Sequence, residues 1–149
     1  MREIAFALEF RGRGGPVEGS PNRRRARTTA PSQALRTVLE PGGIAASVEP
    51  LPGDAAVLES RVERFPDGTF VEDGTITYGR AGSITFDTVA RGHVGPAAVV
   101  GWSHGVVMWR ITGGAGRFAG AQGLITSNFT VSPDGEVTDD HFTRVYLPE

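Results

Sequence analysis

The feature that most constrains this chain is the period of its hydrophobicity, which is two over nearly its whole length. Segments such as "TFVEDGTITY" and "LITSNFTV" alternate apolar and polar residues, and "PGG", "LPGD", "FPDG", "YGRAG" and "SPDG" punctuate the alternation at short intervals. Strand side chains point alternately to opposite faces, so this pattern buries one face of a sheet and wets the other. A helix needs a repeat of 3.6, and no segment offers one. The strands expected are 3–11, 35–40, 44–49, 56–65, 69–78, 83–91, 105–112, 121–131 and 137–147, with a further one at 24–29. So many short strands must dispose of their edges, and closure into an antiparallel barrel of about eight strands removes them. A barrel of that size is filled by side chains or holds one small ligand.

The 149 residues suit a single domain, 1–149. Within it, residues 12–31, rich in Gly, Pro and Arg, read as a loose loop or a cover over one barrel end. The chain has no cysteine, and all its basic residues other than histidine are arginine. That excludes disulfides, thiol nucleophiles and thiolate zinc sites, and without lysine there is no Schiff-base chemistry. A net charge of −2 gives no global attraction to nucleic acid. The local exception is Arg23-Arg24-Arg25-Ala26-Arg27, which reads as a solvated entry to an edge strand or as an anion contact. No apolar run is long enough to span a membrane, and "MREIAFALEF" lacks the pattern of a secretion signal, so a cytoplasmic protein is expected.

Two hairpins let the alternation assign faces. A turn at Arg80-Ala81-Gly82 sets Tyr78 beside Ile84 and Ile76 beside Phe86, and gathers Phe70, Glu72, Ile76, Tyr78, Ile84 and Phe86 on one apolar face. A turn at Pro133-Asp134-Gly135 sets Ser127 opposite His141 and Phe129 opposite Asp139, so Ser127, Asp139 and His141 lie among apolar neighbours. Polar groups on an apolar face call for a partner or a function. Asp139 and His141, two apart on one face, let the carboxylate orient the imidazole, with Ser127 across the ladder. A satisfied structural network and a lumen-lining acid/base set are both open. Glu72 among Phe70, Ile76 and Phe86 would have its pKa raised by desolvation, which suits a general acid or base, unless the register leaves it solvated. Tyr78 could donate to a ligand oxygen or cap the barrel mouth. Trp102, Ser103 and His104 follow "GPAAVVG" and read as a mouth loop that could carry specificity. The histidines His93, His104 and His141 show no metal-binding spacing, so no metal is expected.

The run "ITGGAGRFAGAQG", followed by a strand, a proline-containing turn and a closing "FTRVYLPE", resembles the C-terminal half of the allene oxide cyclase and dirigent protein superfamily. The resemblance covers residues 70–147 and implies a small eight-stranded antiparallel barrel whose glycines join two strands, with Phe118 anchoring the bend. A dinucleotide-binding fingerprint would need a helix after the glycines, and "QGLITSNFTV" has strand periodicity. The resemblance further implies a ligand-enclosing dimer or trimer that needs no cofactor and guides cyclisation or coupling of a reactive hydrophobic substrate. Three readings of function follow. The first is a cofactor-free cyclase or isomerase acting on a polyketide- or lipid-like substrate in the lumen. Its catalytic set would be Glu72, Tyr78, Asp139 and His141, and Phe70, Ile76, Phe86, Trp102, His104, Ser127 and Phe129 would bind substrate. The second is a non-catalytic carrier or dirigent-like guide, and the third is a filled barrel that acts only through its oligomer surface.

Overall fold

A computed structural model describes residues 1–149. Eleven strands and no helix form: β1 (Arg2–Val17), β2 (Ser20–Ala30), β3 (Gln33–Glu40), β4 (Gly43–Pro50), β5 (Ala56–Arg64), β6 (Thr69–Tyr78), β7 (Gly82–Thr88), β8 (Gly92–Pro96), β9 (Ser103–Gly116), β10 (Gln122–Val131) and β11 (Glu136–Leu147). The ladder runs β10-β11-β1-β2-β5-β6-β7-β9 and closes through a β9–β10 pairing, giving the eight-stranded antiparallel barrel that the alternation implies. The short β8 is the additional strand; it pairs with both β6 and β9 and continues the line of β7. Between β7 and β8 the chain breaks at Ala90, the single non-glycine residue with positive φ, at 57°. The break ends the strand expected at 83–91 three residues early. No glycine or proline at positions 83–91 announces it.

Residues 12–31 are not a loose cover. The long β1 pairs with β11 from Arg2 to Arg13 and with β2 from Arg11 to Val17, so it carries the sheet from one barrel half to the other. Glycine is needed at Gly12 because a Cβ there would meet the Arg27 carbonyl of the neighbouring strand. Its place in the sequence marks close strand contact, which composition alone cannot tell from flexibility. A tight turn at Glu18-Gly19, with Gly19 at φ 75°, then starts β2.

The β10–β11 register is the one its turn implies: Ser127 pairs with His141 and Phe129 with Asp139. The β6–β7 hairpin differs. Tyr78 pairs with Gly82 and Ile76 with Ile84, because the turn is Gly79-Arg80-Ala81 and not Arg80-Ala81-Gly82. A slip of two residues leaves every side chain on its original face, so Phe70, Ile76, Ile84 and Phe86 are still buried inside. The "ITGGAGRFAGAQG" run closes β9 and opens β10 through a turn in which Phe118 packs against the core.

Hydrophobic residues from every strand of the closed barrel fill its middle, with Phe10, Ile76, Ile84, Trp109 and Ile125 fully buried. One end is shut by aromatics: Phe6 meets Tyr78 edge-on at 5.5 Å, and Tyr78 packs on Phe118 at 5.3 Å. The other end, where Arg24, Arg64, Val131 and Val137 stand, stays open to a cavity. Outside the barrel, β3 and β4 form a separate two-stranded arm inserted between β2 and β5. Its root is tied down by Gln33, whose side chain accepts from the Glu9 N–H and donates to the Glu9 carbonyl, and by Asp54, which is paired with Arg80. One face of the arm carries Leu35, Thr37, Leu39, Ile44, Ala46 and Val48 with no charge among them; Leu39 is 80% exposed and Ile44 71%. No helix of the chain is long and apolar enough to cross a membrane.

Candidate functional site in the barrel lumen

The inner-face residues of successive strands fall into rows at the open end. One row runs from Arg24 on β2 through Val62 on β5 to Glu72 on β6, and Arg64 beside Phe70 forms the next row towards the mouth. From the opposite wall Phe129 and Asp139 form a pair on β10 and β11. These residues, with Thr28, Leu58 and Val94, enclose a cavity of about 80 Å³. Apolar walls, two carboxyls and two guanidiniums therefore meet in one place.

Glu72 is partly buried, and desolvation pushes its carboxyl up to about 8; the Asp139 and Asp73 charges push the same way. A hydrogen bond from Ser60 Oγ to Glu72 Oε2, at 2.6 Å, opposes the shift without cancelling it. Thr88 fixes the backbone by accepting from the Glu72 N–H and donating to its carbonyl, both at 2.7 Å. Glu72 is thus a neutral acid near pH 7 and becomes a base only slightly above it.

Asp139 is held differently. Its Oδ1 accepts from Ser127 Oγ at 2.6 Å, and its Oδ2 lies 2.8 Å from His141 Nε2. An ionised carboxylate only accepts, so in that state Nε2 carries the proton of the bond. The carboxylate stands between the serine and the imidazole, and Ser127 is not bonded to His141. A nucleophile–base relay needs the opposite order, so this set is no serine-hydrolase triad. The His141 ring is itself wedged between Phe10 at 4.4 Å and the edge of Trp109 at 5.1 Å. Two hydrogen bonds and two aromatic rings leave Asp139 little freedom to move.

The remaining expected residues are spread more widely. Phe70 and Phe129 line the cavity, 5.9 Å apart in an edge-on pair, while Ile76 and Phe86 lie deeper in the filled core. Tyr78 sits at the shut end, away from the cavity, and burial pushes its phenol well above its usual range, so it stays protonated. Its Oη and the facing Thr143 Oγ1 are both buried without a hydrogen-bond partner. Trp102 and His104 do not reach the lumen. Strand β9 begins at Ser103, so His104 already alternates outward and is exposed, and Trp102 lies outside at 38% exposure. His93 and His104 share an outer-surface hollow, and no group of three or more potential ligands is placed to hold a metal.

No family model, curated protein or solved structure matches the chain. The site therefore has to be read from its own chemistry. Sequence reasoning missed Arg24, Arg64 and Thr28, all of which line the cavity. The signal was present in the alternation: Leu58, Ser60 and Val62 lead to Arg64 on the inner face, and Thr28 and Ala26 lead to Arg24. The basic run reads as one charged block, yet Arg24 turns inward while Arg23, Arg25 and Arg27 turn out to solvent.

Proposed function

We propose that the protein is a cofactor-free cyclase or isomerase, akin to allene oxide cyclase-like barrels, that encloses the reactive part of a small hydrophobic substrate at the open end of the lumen. The observation that carries this reading is Glu72: a partly buried carboxyl raised by desolvation to about 8, lining a cavity that also receives Asp139. A carboxyl raised into the neutral range is the arrangement by which a site runs acid and base chemistry near neutral pH. Glu72 transfers the proton, Asp139 faces the same cavity from the opposite wall, and Ser127 and His141 position Asp139. Apolar walls confine the substrate in a reactive shape. Tyr78, at the far end, takes no part.

The protein acts in the cytoplasm as a homo-oligomer in this reading. Two apolar surfaces support a second copy as the partner: the arm's charge-free face, and a band on the barrel exterior formed by Val106, Met108, Leu124 and Phe142, all 39–50% exposed and flanked by Arg110 and Arg144. A non-catalytic carrier is the second reading, favoured because Ser60 already occupies Glu72 and because Ser127 and His141 are both engaged with Asp139.

A benzisoxazole whose ring opens on loss of its C–H proton separates the two. The base takes the proton and the N–O bond breaks to give a cyanophenolate, with no other reactant needed. The enzyme reading expects turnover that rises with pH around 8 and disappears in Glu72→Gln while the compound still binds. Turnover by Glu72→Gln at the parental rate would sink it.

A further inference from the structure

Two arginines at the rim of an apolar cavity are hard to explain by folding alone. Arg24 and Arg64 project from adjacent strands onto the same inner face, and the chain's nine ion pairs include neither. Burial and the neighbouring Arg24 charge both act against the charged form of Arg64. Like charges brought together at a half-desolvated rim, with no ion-pair partner of their own, repel one another unless an anion joins them. Deeper in the same cavity the Thr28 hydroxyl, on a residue 2% exposed, has no hydrogen-bond partner. Between these polar ends lie Leu58, Val62, Phe70 and Phe129.

We propose that the lumen binds a compact carboxylic acid, its carboxylate bridged by Arg24 and Arg64 at the rim and its apolar body inserted towards Thr28. The inference rests on the lumen being the ligand site and adds the class of ligand. A guanidinium matches a carboxylate with two parallel N–H donors, and two guanidiniums can take one oxygen each or share both. The volume sets the size: 80 Å³ admits a body of about one ring, so anything longer must leave through the mouth past the arginines. The opposing carboxyls do not forbid the anion. Glu72 is neutral near pH 7, and Asp139 is directed into its bonds with Ser127 and His141. The expectation of a long polyketide- or lipid-like substrate narrows to one whose enclosed portion is small.

The test compares sodium benzoate with benzamide, which has the same shape and no charge, by amide chemical-shift titration of the full chain at pH 7 and low salt. Both compounds are expected to shift resonances around Thr28, Leu58 and Phe129, with benzoate binding about tenfold tighter, the size of a charge-assisted hydrogen bond. Arg24→Met and Arg64→Met should each shrink that preference, and together abolish it, while benzamide binding persists and shows that the lumen is intact. Arg27→Met, on the outer face, should change neither. Equal affinity for the two compounds, or a preference that survives both substitutions, overturns the acid-binding proposal and leaves the lumen as a ligand site. Binding of neither compound overturns both. Should the double variant fail to fold, the single variants read the same preference.

Discussion

Replacing Glu72 by glutamine should make the protein more stable while removing its chemistry. The native carboxyl titrates at about 8 because burial disfavours the ion, whereas in the unfolded chain it titrates near its ordinary 4.5. The raised folded-state value means that the native state holds a proton that the unfolded state has released. The stability contributed by the neutral acid is therefore complete below about pH 4.5, declines as the pH rises, and is gone above about 8. At about 1.4 kcal/mol per pKa unit, the decline is about 2 kcal/mol between pH 6 and pH 8 and close to 5 kcal/mol over the whole window. Against a total stability of about 5–15 kcal/mol, that is a large share.

Asp140 also titrates high, at about 6, because of burial and of Glu9 beside it, but its effect is largely complete by pH 6. The interval from 6 to 8 therefore isolates Glu72. Urea denaturation at half-unit steps of pH should give a wild-type stability that falls across that interval. The Glu72→Gln curve should be flatter by about 2 kcal/mol, and the variant about 3 kcal/mol more stable at pH 7. Glutamine keeps an acceptor for Ser60, so the hydrogen bond at 2.6 Å is not what changes. Parallel curves for the two proteins would mean that Glu72 is ionised and solvated in the native state, and the acid/base role would fall with it. A more stable but inactive variant is the trade expected of a site where a buried acid is kept at the expense of the fold.

Four further outcomes follow from the geometry. Asp139→Asn should cost about 2–4 kcal/mol in denaturant titrations, because it weakens two buried hydrogen bonds at once, whereas Ser127→Ala should cost about 1 kcal/mol since His141 still holds the carboxylate. Gly114→Ala should lower the melting temperature clearly, because its Cβ would meet the Phe118 carbonyl, while the adjacent Gly113→Ala, whose Cβ meets Thr85 Oγ1 at 3.5 Å, should melt near wild type. Replacing residues 31–55 by Asn-Gly should leave a cooperatively folding barrel, because Ala30 and Ala56 already pair and a two-residue turn suits them; light scattering should show the same variant as a monomer. Met108→Glu, which puts a charge in the middle of the exterior band, should also give a monomer by light scattering without changing the circular dichroism spectrum.

How far the sequence spoke depended on which physical signal carried each element. The turn Pro133-Asp134-Gly135 ends in a glycine at φ 85°, a geometry that fixes loop length and hence register, and the pairings of Ser127 and Phe129 followed from it. The turn near Arg80 contains glycine at both 79 and 82, so two loop placements fit the same letters. The strands of the arm were legible as strands, yet nothing in their alternation separates a two-stranded ribbon in solvent from two staves of the barrel, because both have an apolar face. Strand β8 was lost because the break before it falls on Ala90, a residue that seldom adopts positive φ.

The same distinction explains why Glu72 and Asp139 were placed in the lumen while their contacts were not foreseen. Facing depends only on whether a position is odd or even along its strand, and a slip of two residues preserves it. Contact depends on the register of both neighbouring ladders, which two hairpins cannot supply. Ser60 and Thr88 reach Glu72 from β5 and β7, so its surroundings required the β5–β6 pairing as well as the β6–β7 turn. Arg24 shows the limit in reverse: its facing was readable from the alternation with Ala26 and Thr28, but four arginines within five residues look like a surface whatever their parity. A charge run inside a strand has to be split into its two faces before it is assigned to solvent, and here that split is what brings a guanidinium into the lumen.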